Sequence, residues 1–213
     1  MTNIEPWTFG ESALGETTEL AAAVRELVGT ALSLEHPARE IRELTEAIRD
    51  TCVRLRDRAP RDSRPRVGAD AHDDRRVYID HSRDIGDYNP FFPQYRIVCA
   101  DGRAEGEVEF PVAYEGPPGI VHGGFLALLF DCVLQQLNCD LGTAGKTASI
   151  SLRYRRPTPL LTPLRVAATR EIVDRRINST AQLFLGDELL CEAEMSAVAG
   201  TRETLPTVSP RRA

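Results

Sequence analysis

The stretch GPPGIVHGGFLALLFDCVLQQLNC, residues 116–139, contains the features that decide the fold. A Gly/Pro-rich loop comes first, and the mostly apolar residues from about 123 to 139 predict a helix. One carboxylate, Asp131, lies inside this apolar run. Burying an unpaired carboxylate costs several kcal/mol. We therefore expect Asp131 to have either a bonding partner or a function.

The segments around this helix alternate in polarity and predict strands. Residues 94–100 and 106–110 form a predicted hairpin about the turn Asp101-Gly102, and further strands are predicted near 147–154, 164–173, 176–185 and 188–199. The last two meet at Gly186-Asp187. Because one long helix serves all these strands, most must pair antiparallel through short turns. The sequence predicts an α+β fold, an antiparallel sheet wrapped around one central helix.

Residues 17–58 differ in pattern from this domain. Their apolar positions, spaced by three and four, predict two amphipathic helices separated at His36-Pro37. Each helix needs a surface to cover its apolar stripe, which the main domain or a second copy of the chain could supply. The predicted organisation is an N-terminal helical extension at 1–60, a charged linker at 61–77, the sheet domain at 78–200 and a disordered tail at 201–213.

Composition excludes several classes of function. Asp and Glu outnumber Lys and Arg by 32 to 26, which disfavours nucleic acid as a partner. The sequence has neither an apolar run long enough for a membrane span nor a signal-peptide pattern, so it predicts a cytoplasmic protein. Five cysteines without a C-x-x-C pair indicate reduced, structural thiols. The four histidines lack metal-ligand spacing, so we expect no metal site and no cofactor.

Two motifs carry a family resemblance. YEGPPGIVHGGFLALLFD (114–131), followed by GKTASISLRYRRPTPL (145–160), resembles the hotdog-fold thioesterase superfamily, in the group of phenylacetate-pathway acyl-CoA thioesterases and mammalian thioesterase-superfamily proteins. DYNPFFPQ (87–94) resembles the N-P-x-x-P segment that leads into the first strand of many relatives. The similarity covers about residues 78–200. It implies a hotdog fold and the hydrolysis of acyl-CoA to a free acid and CoA.

The candidate catalytic residues lie along the same motifs. Gly123 and Gly124 begin the helix, where backbone N–H groups lack partners and could stabilise an oxyanion; alternatively, the glycines only permit a tight turn. In the resemblance, Asp131 is a general base or nucleophile and Thr147 orients it or the attacking water. The alternative is a structural Asp held by the Thr hydroxyl. His122 shapes the oxyanion loop in relatives, and nothing beside it in the sequence supplies a nucleophile.

Helix geometry separates these groups. Eight residues of helix place Gly123 and Asp131 about 12 Å apart, whereas attacking and stabilising groups must converge on one reacting carbonyl. The simplest arrangement uses two antiparallel copies, and relatives build their sites across such a dimer. We therefore expect a homodimer, with pairing into a homotetramer left open.

The sequence predicts the residues that contact the substrate less specifically than it predicts the catalytic residues. Arg155, Arg156, Arg175 and Arg176 are candidates for binding the CoA phosphates, or are ordinary surface charges. Phe125, with Phe91, Phe92 and Phe130, could line an acyl site or belong to the core. Many relatives place an Asn or Gln where this chain has Gly116.

Three functions remain from the sequence. The first is an acyl-CoA thioesterase, and the second is a non-catalytic hotdog protein that binds acyl-CoA or lipid. The third, an enoyl-thioester hydratase, is disfavoured because that chemistry uses an Asp followed by a His, whereas His122 precedes Asp131. The net negative charge slightly disfavours an acidic acyl carrier protein as the thiol carrier.

Overall fold

The computed structural model describes residues 15–56, 58, 84–141 and 145–200. The predicted linker at 61–77 and tail at 201–213 lie outside the described residues. The described helices are α1 (Gly15–Leu32), α2 (Arg39–Arg56), the single turn α3 (Ile85–Tyr88) and α4 (Gly123–Asp140), with a 3-10 turn at Val112–Tyr114. No described helix is both long enough and apolar enough to cross a membrane.

The strands form one antiparallel sheet, as predicted. They are β1 (Tyr95–Ala100), β2 (Arg103–Val108), β3 (Gly145–Tyr154), β4 (Leu164–Val173), β5 (Arg176–Leu185) and β6 (Glu188–Ala199). Their order in the sheet is β1-β2-β4-β5-β6-β3, with every neighbouring pair antiparallel. The strand that follows α4 in sequence therefore lies at one edge of the sheet.

Tight turns set the register. In the β1–β2 hairpin, Asp101 and Gly102 have φ of 49° and 76°, the left-handed conformation that two-residue hairpin loops favour. Because this turn is so short, β2 begins at Arg103, earlier than the predicted residue 106. The β5–β6 turn has Gly186 at φ 57°. The predicted hairpins are confirmed at both places.

The sheet wraps around α4, whose inward face is fully buried. Leu129, Phe130, Val133, Leu134 and Leu137 are all 0% exposed. A second stripe of α4 is only partly covered by the described strands. Gly124 is exposed, and Ala127, Leu128, Asp131 and Gln135 are half-buried. The carboxylate in the apolar helix therefore lies on the open side of α4. The apolar sequence around Asp131 suggests burial, but the side chain is only half-buried in the single chain, because among the described strands only the start of β3 reaches this stripe.

The two N-terminal helices form where the spacing predicted, but they pack differently. α1 contacts α3 and the 3-10 turn, burying Ala21 and Arg25. The guanidinium of Arg25 donates a hydrogen bond to the Gly86 carbonyl. α2 has no buried residue. The described part of the chain therefore covers the stripe of α1 and leaves the stripe of α2 exposed.

Candidate active site

Three side chains meet where α4 passes the start of β3. The Thr147 hydroxyl donates to Asp131 Oδ1 at 2.9 Å. Gln135, one turn after Asp131 on α4, donates from Nε2 to Thr147 Oγ1 at 2.7 Å. A helix places residues four apart on the same face, which explains why Asp131 and Gln135 both reach Thr147. The sequence indicated the Asp131–Thr147 pair but not Gln135.

A β-bulge presents Thr147 to the helix. The register of β3 against β6 shifts between Thr147 and Ser149, so Ala148 is an extra residue in β3. Bulges bend a strand locally and re-aim side chains, and they are common next to active sites. Residues Lys146 to Ser149 are all exposed. The bulge therefore lies on an open strand edge beside the carboxylate.

The donors and acceptors available determine the direction of the hydrogen bonds between Gln135, Thr147 and Asp131. A threonine hydroxyl has one proton and two acceptor lone pairs. Because Gln135 donates an N–H, it uses one lone pair and leaves the proton for another acceptor. Met195 Sδ lies 3.7 Å from Thr147 Oγ1, but sulfur is a weak acceptor and the carboxylate is both nearer and charged. The proton of Thr147 therefore points at Asp131.

The start of α4 carries the second set of polar groups. His122 is the N-cap residue, and its Nδ1 accepts a hydrogen bond from the Gly124 N–H at 3.0 Å. Among the described residues, no acceptor binds the Gly123 N–H. In this conformation Gly123 offers the open amide at the positive end of the helix dipole, while the Gly124 amide is already bonded.

Tyr154, the last residue of β3, holds the start of α4 in place. Its hydroxyl donates to the Gly123 carbonyl at 3.0 Å. A Cβ at position 123 would lie 3.1 Å from that hydroxyl, which favours glycine there. Tyr154 lies within the motif at 145–160, but the motif alone does not assign it this contact. Burial, and secondarily Cys191, raises the pKa of Tyr154, so it remains a protonated donor at neutral pH.

Comparison with solved structures identifies the fold. A thioesterase superfamily protein of known crystal structure matches with a TM-score of 0.71 and 28% identity, over 92% of this chain and 98% of that chain. The chain has the hotdog fold of the thioesterase superfamily. The resemblance stated from the motifs at 114–131 and 145–160 is confirmed.

Two other hotdog structures match about half of the chain. A hypothetical thioesterase protein with coenzyme A from Streptococcus pneumoniae TIGR4 has a TM-score of 0.48 and 19% identity over 51% of this chain and 90% of that one. A phenylacetic acid degradation-related protein from Ralstonia eutropha JMP134 has a TM-score of 0.45 and 23% identity over 49% of this chain and 83% of that one. No family model matches the sequence.

Coverage distinguishes these hotdog structures. Residues 84–200, which contain every described strand and α4, make up little more than half of the chain, so a match over 92% of it must extend into the N-terminal helices. The thioesterase superfamily protein with that coverage therefore shares more of this chain's architecture than the hotdog domain alone.

The candidate CoA-binding arginines fall at the two ends of the hotdog sheet. Arg155 and Arg156 follow β3, near Tyr154, and pair with Glu192 at 2.5 Å and Glu188 at 3.2 Å. Arg175 and Arg176 lie at the β4–β5 turn, where Arg176 Nη1 donates to Ser196 Oγ at 3.3 Å. All four arginines are exposed, and exposed ion pairs are weak enough to exchange for a phosphate.

Strand register places the second arginine pair near the carboxylate. Thr147 pairs with Ala197, which pairs with Ile177, the residue after Arg176. Arg175 and Arg176 therefore share the Asp131 end of the sheet, and Arg155 and Arg156 share the Gly123 end.

Phe125 and Gly116 shape the loop side of the hotdog helix. The half-buried Phe125 ring packs edge-on against Tyr114, with centroids 4.7 Å apart, and lies 6.2 Å from the His122 ring. Phe130 is a core residue, and Phe91 is 80% exposed. A Cβ at Gly116 would lie 2.9 Å from His122 Cα. This close packing explains why an Asn or Gln does not fit where many relatives have one.

Other reactive groups are not arranged for catalysis. Burial, and secondarily Asp131, raises the pKa of the Cys132 thiol to about 12, so it is protonated at neutral pH. None of the five cysteines forms a disulfide. Within the described ranges, no cluster of three His, Cys, Asp or Glu side chains could hold a metal ion.

Proposed function

We propose that this protein is an acyl-CoA thioesterase whose active site is shared by two copies of the chain. The observation that carries the proposal is the hydrogen-bonded set Gln135–Thr147–Asp131 on the open side of α4. A set of hydrogen bonds with a fixed direction supports a catalytic role for the Asp131 carboxylate. A structural Asp would need a hydroxyl partner but not a second residue that fixes the direction of that hydroxyl.

The edge strand β3 supports the pairing of two copies. One end of β3 holds Asp131 through Thr147, and the other end holds Gly123 through Tyr154. An edge strand has unpaired backbone groups that can bond to another strand. If β3 pairs antiparallel with β3 of a second copy, Thr147 of each lies near Tyr154 of the other. Asp131 of one copy would then lie near Gly123 of its partner, which gives two equivalent sites.

Each half-site supplies a different part of the reaction. Asp131 accepts a proton from water, and the oxygen of that water attacks the thioester carbonyl carbon. The Gly123 N–H from the partner stabilises the negative charge that develops on the carbonyl oxygen. The C–S bond then breaks, and the CoA sulfur leaves with the proton as a thiol, giving a free carboxylic acid. His122 keeps the helix start in position through its bond to the Gly124 amide.

Asp131 could instead attack the carbonyl itself and form an anhydride. A single turnover in ¹⁸O-labelled water detects the anhydride route when the anhydride is hydrolysed at its aspartyl carbon. Attack by water puts labelled oxygen into the first acid released. Attack by Asp131, followed by hydrolysis at the aspartyl carbon, leaves the first acid unlabelled.

Gln135 acts as a positioning residue in this proposal. It contacts Thr147 rather than the reacting atoms, and it keeps the Thr147 hydroxyl oriented so that it donates its hydrogen bond to Asp131. With the Thr147 proton bonded to one oxygen, the other carboxylate oxygen is available to water. Gln135 also brings a side-chain amide to the site, in a chain whose Gly116 cannot supply one.

The two-copy arrangement also gathers the candidate CoA contacts. Arg155 and Arg156 of one copy would lie near Arg175 and Arg176 of the other, because the pairs occupy opposite ends of the sheet. Arginine binds phosphate through several donors at once, so such a group suits the phosphates of CoA. Phe125, beside the helix start, would contact the acyl group.

The experiment is a panel of acyl-CoAs with free thiol release as the readout. We expect hydrolysis by the wild type and a loss of at least a hundredfold in kcat for Asp131→Asn. The matched control is Asp101→Asn, in the β1–β2 turn beside the opposite edge of the sheet, where Asn tolerates the φ of 49°. Binding of acyl-CoA without release would instead identify a non-catalytic hotdog protein. Release that Asp131→Asn leaves unchanged would overturn the assigned chemistry.

A further inference from the structure

The apolar face of α2 is exposed from Leu44 to Leu55, and Ile41 at its start is half-buried. This face consists of five residues spaced along the helix: Ile41, Leu44, Ile48, Cys52 and Leu55. Leu44, Ile48 and Leu55 are 38%, 46% and 49% exposed. By contrast, α1 lies on the domain through Ala21 and Arg25. An amphipathic helix gains most of its stability by covering such a face, and no described segment of the same chain covers this face of α2.

The spacing of this apolar face is symmetric. The intervals from Ile41 to Leu55 are three, four, four and three residues, and at 100° per residue the five positions fall within an arc of about 80°. A two-fold axis at Ile48 places Ile41 opposite Leu55 of another copy and Leu44 opposite Cys52. Every apolar residue would then face an apolar residue, which is the self-complementarity that a two-fold interface requires.

The charges on α2 have the matching asymmetry. In the first half, Glu40, Glu43 and Glu46 outnumber Arg39 and Arg42; in the second half, Arg49, Arg54 and Arg56 outnumber Asp50. Antiparallel pairing places each acidic half beside a basic half, whereas parallel pairing would place like halves together. The antiparallel arrangement also brings opposite ends of the helix dipoles together.

We propose that α2 packs antiparallel against α2 of a second copy of this chain, with Ile48 at the two-fold axis. The nearly balanced charge of α2 suits this partner better than a lipid surface, which favours helices with a strongly basic polar face. The inference does not depend on thioesterase activity, since it rests on residues 39–56 alone.

Disulfide trapping in the full-length protein tests this packing. In the proposed pair, Leu44 faces Cys52 of the second copy, so Leu44→Cys should form a covalent dimer under mild oxidation. Residues 44 and 52 of one helix lie about 12 Å apart, too far for a bond within one chain. Adding Cys52→Ser should abolish the dimer. Glu46→Cys, on the opposite face of α2, is the matched control and should stay monomeric on a denaturing gel.

A charge on the axis gives a second readout. Ile48→Asp in the Leu44→Cys background places two carboxylates face to face and should abolish the trapped dimer. Because α2 buries no residue in its own chain, none of these substitutions removes a core contact. Trapping of Leu44→Cys that depends on Cys52 and Ile48 supports the proposal. Absence of the dimer, or equal trapping by Glu46→Cys, would overturn it.

Discussion

Replacing Thr147 with valine removes the hydroxyl that bonds to Asp131 and keeps nearly the same shape. Asp131 accepts one hydrogen bond from the described residues, at 2.9 Å from Thr147. Hydrogen bonds to charged groups contribute about 1.5–3 kcal/mol. Because Asp131 is only half-buried, the lower end of that range applies. A loss of about 1.5 kcal/mol corresponds to roughly a tenfold fall in kcat/KM.

The assay is steady-state thiol release from the best acyl-CoA of the panel. We expect Thr147→Val to lower kcat more than it raises KM, because the hydroxyl acts on the carboxylate and not on the substrate. Thr147→Ser keeps the hydroxyl and should retain most of the activity. Valine favours strands and position 147 is exposed, so thermal unfolding should be nearly unchanged. A valine variant as fast as the wild type would refute the role assigned to Thr147.

Three further predictions concern neighbouring groups. Gln135→Leu should lower kcat by roughly three- to tenfold in the wild type and not at all in Thr147→Val, because Gln135 acts only through the Thr147 hydroxyl and a double-mutant cycle measures that coupling. Additive losses in the double variant would contradict a positioning role for Gln135. The double variant Arg175→Gln/Arg176→Gln should raise KM for acyl-CoA by roughly fivefold and leave a phosphate-free acyl thioester unaffected, whereas equal effects on both substrates would exclude a phosphate contact. Since burial raises the pKa of Cys132 to about 12 and of Cys191 to about 11, a thiol reagent at pH 8 should label these two thiols only after unfolding; rapid labelling of Cys132 in the folded state would show that the core is open.

Local patterns predicted the elements because each element has a local cause. Alternating residues define strands such as Leu164–Val173, and pairs such as Asp101-Gly102 supply the positive φ that a hairpin turn needs. The helix start at Gly123 follows from a loop rich in glycine and proline. These features require only a few neighbouring residues, so the sequence carries them directly.

The candidate site depends on contacts between segments that are distant in the sequence. Less of the site than of the fold could therefore be predicted from the sequence. Nothing local places β3 at the sheet edge, and that position determines that the Asp131 side of α4 is open. The bulge at Ala148 results from register against β6. Gln135 looks like an ordinary polar helix residue until β3 brings Thr147 beside it. The spacing of four residues could have indicated Gln135, because residues four apart on a helix share one face and Gln135 therefore faces the same strand as Asp131.

The N-terminal extension shows the same limit. Spacing predicted both helices and the break between them, because amphipathic periodicity is local. Spacing could not state which stripe the domain would cover. The structure shows that α1 is held by Arg25 and Ala21, while the stripe of α2 remains exposed.

The most direct test of the shared site is complementation between two inactive variants. Asp131→Asn removes the base. Gly123→Pro removes the open N–H at the first helical position, where the His122 φ of −65° and ψ of 132° suit a following proline. The added Cβ would lie 3.1 Å from the Tyr154 hydroxyl, the far end of a side chain that can shift by a few tenths of an ångström.

When the two variants are co-expressed, each mixed dimer should contain one site with neither change. Random pairing then gives about a quarter of the wild-type activity, although each variant alone is inactive. If each site were built from a single chain, every site in the mixture would be defective. Activity near a quarter of wild type is the result we predict, and activity no higher than that of the separate variants would contradict a site that joins Asp131 of one copy to Gly123 of its partner.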